Sequence, residues 1–119
     1  MDNIKTHYMK LWDSPFNAIK YGFKNIEMRL NDEKRSLINI NDIIVFTNNN
    51  TFETIKVKVV NLYKYDSFKE LYENHNKISI GYQENEIANY KDMYDYYKEE
   101  DIKKYGALGI EIKLINELD

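Results

Sequence analysis

Period-two alternation of apolar and polar residues is clearest in Asn25-Ile26-Glu27-Met28-Arg29-Leu30, which is predicted as a half-buried strand. Ile26, Met28 and Leu30 would face a core, and Asn25, Glu27 and Arg29 the opposite side. The longest strand expected runs from Thr54 to about Tyr65. Ile55, Val57, Val59 and by extension Asn61 share one of its faces, with Lys56, Lys58 and Val60 on the other. Shorter strands are expected at 6–11, 43–46 and 107–114. Helical spacing of Phe16, Ile19 and Phe23 predicts a helix that opens with Ser14 as cap and Pro15 in its first turn. Gly22 is placed to stop it in a left-handed conformation. A second helix is expected from a cap at Asp66 or Ser67 to about Asn74, with Phe68, Leu71 and Tyr72 on its apolar side. Residues 85–104 read as two helical pieces, with Ile87, Tyr90, Met93, Tyr94 and Tyr97 inward. Turn chemistry marks Asn31-Asp32, Asn41-Asp42 and the run 47–51. The order β-α-β-β-β-α-α-β favours a mostly antiparallel α+β domain, and a small barrel would remove exposed strand edges.

Composition narrows the classes of function. The 119 residues, 43% of them hydrophobic, suit one ordinary domain with its own core, and no linker-like stretch divides residues 1–119. With no cysteine, disulfide scaffolds, thiolate catalysis and cysteine-based zinc sites are excluded, and a reducing, cytoplasmic setting is expected. The first residues do not follow a signal-peptide pattern, and no apolar run approaches the roughly 20 residues that span a bilayer. Neither membrane association nor a cofactor is expected. His7 and His75 stand apart from other ligand residues, so no metal site is expected.

The net charge of −3 argues against a bulk electrostatic binder of nucleic acid. Its distribution is uneven. Residues 1–40 hold seven Lys/Arg against five Asp/Glu, whereas residues 66–104 hold six against ten. A local basic site in the first third is compatible with this, as is a solvated mixed-charge surface.

The residues with most chemical content are Lys24, Glu27 and Arg29. Glu27 and Arg29 lie two apart on the expected strand, so they project from one face about 7 Å apart. Arg29 can hold a phosphate or carboxylate with its planar fork, and Glu27 can accept from a base edge or a water. Lys24 has the wrong parity and joins them only if the chain bends just after Gly22. An exposed ion pair of no functional weight is the alternative. Among the aromatics, Trp12, Tyr63 and Tyr65 are the best candidates for stacking on a base. Most of the other tyrosines have the spacing of ordinary packing residues.

The segment Gly22-Phe23-Lys24-Asn25-Ile26-Glu27-Met28-Arg29 resembles the G-x-K-x-x-E-x-R signature of ASCH domains, in the PUA-like superfamily. The resemblance continues through Asn41-Asp42-Ile43-Ile44-Val45-Phe46, where the family usually has Gly-Asp, then 67–72 and 96–111. It implies a PUA-like, mostly antiparallel β-barrel with flanking helices and a cleft lined by Lys24, Glu27 and Arg29. It also implies RNA, or a nucleoside or nucleotide, as partner. Some small members hydrolyse N4-acetylcytidine and others cleave RNA, so a small hydrolase in which Lys24 and Glu27 are catalytic is the alternative reading. The amidohydrolase type has a threonine nucleophile at the position of Glu27, and this departure counts against a covalent threonine mechanism here.

Overall fold

A computed structural model describes residues 3–115. Among the described residues, five strands are formed: β1 (Thr6–Leu11), β2 (Ile26–Leu30), β3 (Ile43–Asn48), β4 (Thr54–Tyr65) and β5 (Ala107–Leu114). Three α-helices accompany them: α1 (Asp13–Lys20), α2 (Phe68–Asn74) and α3 (Glu99–Tyr105). Short 3-10 turns cover Arg35–Leu37 and Tyr90–Asp95. The strands form one curled sheet in the order β1-β3-β4-β5-β2. Only β1 and β3 run parallel; the other neighbours are antiparallel. The result is a half-barrel with flanking helices, of the mostly antiparallel α+β class that the element order favours, with β1 and β2 at its two margins.

β5 organises the core because it is buried on both faces. Leu108, Ile110 and Ile112 join Phe16, Ile19, Ile44, Phe46, Val57 and Val59 on one side of the sheet. On the other side, Ala107 meets Ile26, Leu30, Phe68, Leu71 and Met93. Small residues on this second face let β2 and α2 approach closely. A Cβ at Gly109 would already lie 3.4 Å from Ile26 and 3.6 Å from Leu71.

Several local expectations need correction. Trp12, two residues before Ser14, occupies the N-cap position of α1 without a side-chain capping bond, so Pro15 lies third in the helix. Pro15 remains harmless there, because the first helical N–H groups have no partner inside the helix. The Asp13 carboxylate accepts from Asn17 and from the buried Asn48, which fixes this earlier start. A bulge between Val59 and Asn61 resets the parity of β4. Leu62, not Asn61, therefore packs against the first cluster. Residues 85–89 are not helical, and Ile87 is 90% exposed instead of buried. Ser67 does cap α2, accepting from the Glu70 amide at 3.2 Å.

Gly106 joins α3 to β5 with φ +79°, and an added Cβ would meet the Tyr65 carbonyl oxygen at 2.6 Å. Gly106→Ala is expected to destabilise by about 1–3 kcal/mol from its backbone alone, because φ +79° with ψ −178° is a conformation essentially reserved to glycine, before the clash is counted. Chemical denaturation of the variant checks this.

Candidate functional site

The site begins at the end of α1. Gly22 adopts φ +85°, the Phe23 amide donates to the Ala18 carbonyl and the Gly22 amide to that of Ile19. This paired closure is a Schellman motif, which only a residue tolerant of positive φ completes without strain. The Lys24 amide also donates to Ala18, and the Asn25 and Ile26 amides both reach the Ser79 carbonyl. The chain is thereby bent immediately before β2, and Lys24 swings to the side from which Glu27 and Arg29 project.

The three charges meet. Lys24 Nζ donates to Glu27 Oε1 at 2.7 Å, and Arg29 Nε donates to Glu27 Oε2, also at 2.7 Å. Their side chains are 7%, 4% and 14% exposed for Lys24, Glu27 and Arg29, far below a surface ion pair. The strand pattern places Glu27 on the face opposite the core; it is nonetheless buried, at 3% exposure. Arg29 Nη2 also donates to the Lys10 carbonyl at 3.1 Å, so its guanidinium ties the β1 margin to the β2 margin across the open side of the sheet. The stem of Lys24 is confined in turn. A Cβ on Gly81 would stand 3.2 Å from Lys24 Cδ.

Burial alone would push the Glu27 carboxyl up. The Lys24 and Arg29 charges and their hydrogen bonds outweigh that, holding it below its ordinary value. Arg29 is likewise moved by burial in the direction of deprotonation and by Glu27 in the other, and the net displacement is upward. The trio thus carries one net positive charge in a setting where water screens it poorly.

These groups form part of the wall of an open cleft of about 500 Å³. Trp12, 60% exposed, stands at its edge with Lys10. The lining also includes residues that the sequence pattern did not mark as site residues: Tyr82, Asp92, Tyr96 and Tyr97. Tyr82 donates to Asp92 at 2.7 Å and shares a hydrogen bond with Tyr72. Burial first, then these partners, push its hydroxyl well above the ordinary range, so it stays protonated. Tyr97 stacks on Phe68 with ring centroids 6.0 Å apart.

Tyr63 and Tyr65 are not brought into this cleft. The Tyr63 hydroxyl donates to Glu111 at 2.7 Å and its ring packs edge-on against His75. The Tyr65 hydroxyl shares a hydrogen bond with His75 at 2.8 Å. Both are tied up in a separate polar cluster, so of the three expected stackers only Trp12 borders the charged trio. His7 is likewise engaged elsewhere, 2.8 Å from the buried Asp42. Among the described residues, no group of three or more acidic, histidine or cysteine side chains is arranged to hold a metal ion. No described helix is long and apolar enough to cross a membrane.

A curled five-stranded half-barrel with its margins bridged over a charged cleft defines a PUA-like domain. The chain belongs to the ASCH domain family, whose model matches residues 9–116. It is similar to the hypothetical protein PH0355, whose crystal structure aligns with TM-score 0.78 at 35% identity, covering 92% of this chain and 99% of that one. Protein PF0455 from Pyrococcus furiosus, known from a solution NMR structure, aligns with TM-score 0.71 at 30% identity, covering 93% and 98%. An ASCH protein from Zymomonas mobilis shares the fold, with TM-score 0.56 at 14% identity over 95% of this chain and 74% of that one. No curated protein matches the sequence.

Proposed function

We propose that this ASCH domain binds single-stranded RNA, or one nucleoside unit of it, in the cleft bordered by Lys24, Glu27, Arg29 and Trp12. The carrying observation is the buried ion trio, which presents a net cation beside an exposed indole in a hollow of about 500 Å³. A base needs a flat apolar surface and its phosphate or carbonyl oxygen needs a donor, and these two features lie side by side. Both Glu27 oxygens are already engaged by cations. Glu27 therefore acts first as the group that aims the Lys24 and Arg29 donors, and its free lone pairs are left for a base amino group. Family membership supports RNA as the partner class.

The hydrolase reading, with Lys24 and Glu27 catalytic on N4-acetylcytidine or a phosphodiester, uses the same cleft. It is disfavoured by one observation. A general base works best with a pKa near the operating pH, and Glu27 is displaced downward, away from it.

Incubation with short single-stranded RNAs and with N4-acetylcytidine separates the two. The expected result is a rise in melting temperature with RNA, lost as salt increases, and intact ligands on product analysis across a broad pH range. Deacetylated cytidine or shortened RNA would overturn binding as the whole activity. No shift with any RNA would overturn the reading itself.

A further inference from the structure

A second hollow, of about 610 Å³, adjoins the cleft and shares Ser14, Gly81 and Tyr82 with it as a common wall. Its far side carries the rings of Tyr21 and Phe23, which are 66% and 67% exposed. Neither ring belongs to either core cluster. The turn they flank needs only Gly22 for its geometry, so nothing in the packing of α1 requires two large aromatics there. Asn17 and Gln83 add amide groups to the same hollow.

We propose that this second hollow seats the base of a neighbouring nucleotide, so that the ligand is a single-stranded oligonucleotide and not a free nucleoside. The inference rests on the proposed binding of RNA in the first cleft and extends it. The helix itself gives the spacing. Trp12 sits at the N-cap position of α1 and Tyr21 at its C-cap, and the nine residue steps between them correspond to about 13 Å along the axis. That is too far for one base to touch both, and it fits two bases separated by backbone. A strand entering the cationic cleft leaves it across the shared wall, with the Tyr21 and Phe23 rings as the next apolar surface it meets. Aromatic platforms accept any base, because every base has a π-face, so the second position adds affinity with little sequence preference. Lys20 lies 5.5 Å from the Tyr21 ring centroid, but its ammonium is paired with Glu53 at 2.7 Å, so the second position rests on the two rings and not on charge.

The test uses homopolymeric RNAs of one, three and six nucleotides, titrated against wild type, Tyr21→Ala, Tyr21→Ala/Phe23→Ala and Lys24→Ala. Wild type is expected to gain roughly tenfold or more in affinity between one and three nucleotides. In the double variant that gain is lost and all lengths bind with the mononucleotide's affinity; Tyr21→Ala alone loses part of it. Lys24→Ala weakens every length. If wild type binds the mononucleotide and trinucleotide equally, or the double variant keeps the full gain, the second position is overturned while the first cleft stands. Failure of wild type to bind any length overturns both. Sedimentation of wild type as a dimer that the double variant converts to monomer would assign the two rings to self-association and overturn the proposal.

Discussion

Glu27→Ala is expected to lose about 3–5 kcal/mol of folding stability, the cost of leaving buried charge without its counter-ion. The figure is large beside the 5–15 kcal/mol that holds a typical domain together. Lys24 and Arg29 each donate to a Glu27 oxygen at 2.7 Å with little access to water, so removing the carboxylate strands two cations at once. The pH dependence has a definite sign. Glu27 has a folded-state pKa below its ordinary 4.5, so its stabilisation is fully present above the unfolded-state value. It is lost as pH falls through the folded-state value. Acid unfolding of wild type should therefore steepen below about 4.5. Glu27→Gln, which cannot titrate, should show a flatter acid limb. Urea denaturation across this window checks both statements, and a Glu27→Ala protein as stable as wild type would refute them. Apolar replacement of a buried ion network is often neutral or stabilising. Lys24→Met/Glu27→Leu/Arg29→Met is accordingly expected to recover much of the lost stability while losing ligand. That would show the charges serve recognition more than folding.

Lys24→Ala is expected to lower affinity for short single-stranded RNA roughly tenfold to hundredfold, the worth of one hydrogen bond from a charged group. It leaves the Arg29–Glu27 pair intact, so its effect on folding should be smaller than that of Glu27→Ala. Lys58→Ala, at an exposed strand position across from Lys113, should leave affinity unchanged at equal salt. Equal losses for the two lysines would reduce the interaction to general electrostatics, as in non-specific binding.

Much of this was legible in the sequence because the decisive signals are local. Glycine followed directly by a charged alternating strand forces a bend, and that bend is what cancels the wrong parity of Lys24. Asn41, where the family usually carries Gly, adopts φ +81°, as its tolerance of left-handed backbone allows. The failures arose where tertiary structure decides. The bulge after Val59 leaves no trace in the alternation of valines and lysines, which puts Asn61 and not Leu62 on the inward face. Tyr63 and Tyr65 lie on the expected strand, yet their surroundings depend on His75 and Glu111 arriving from α2's end and from β5. The wall built by Tyr82, Asp92, Tyr96 and Tyr97 is invisible to periodicity, because its segment is mainly loop and 3-10 turn. Burial of Glu27 was hidden for a related reason. Strand parity separates two faces but does not reveal that both are covered.

Trp12 is the only tryptophan in the chain, and it borders the cleft in which the ligand is proposed to lie. Its fluorescence during titration with short single-stranded RNA therefore reads the occupied site without a label. The account predicts saturable quenching in wild type that shifts to much higher RNA concentration in Lys24→Ala. RNA binding detected by sedimentation with no change in Trp12 emission would contradict it.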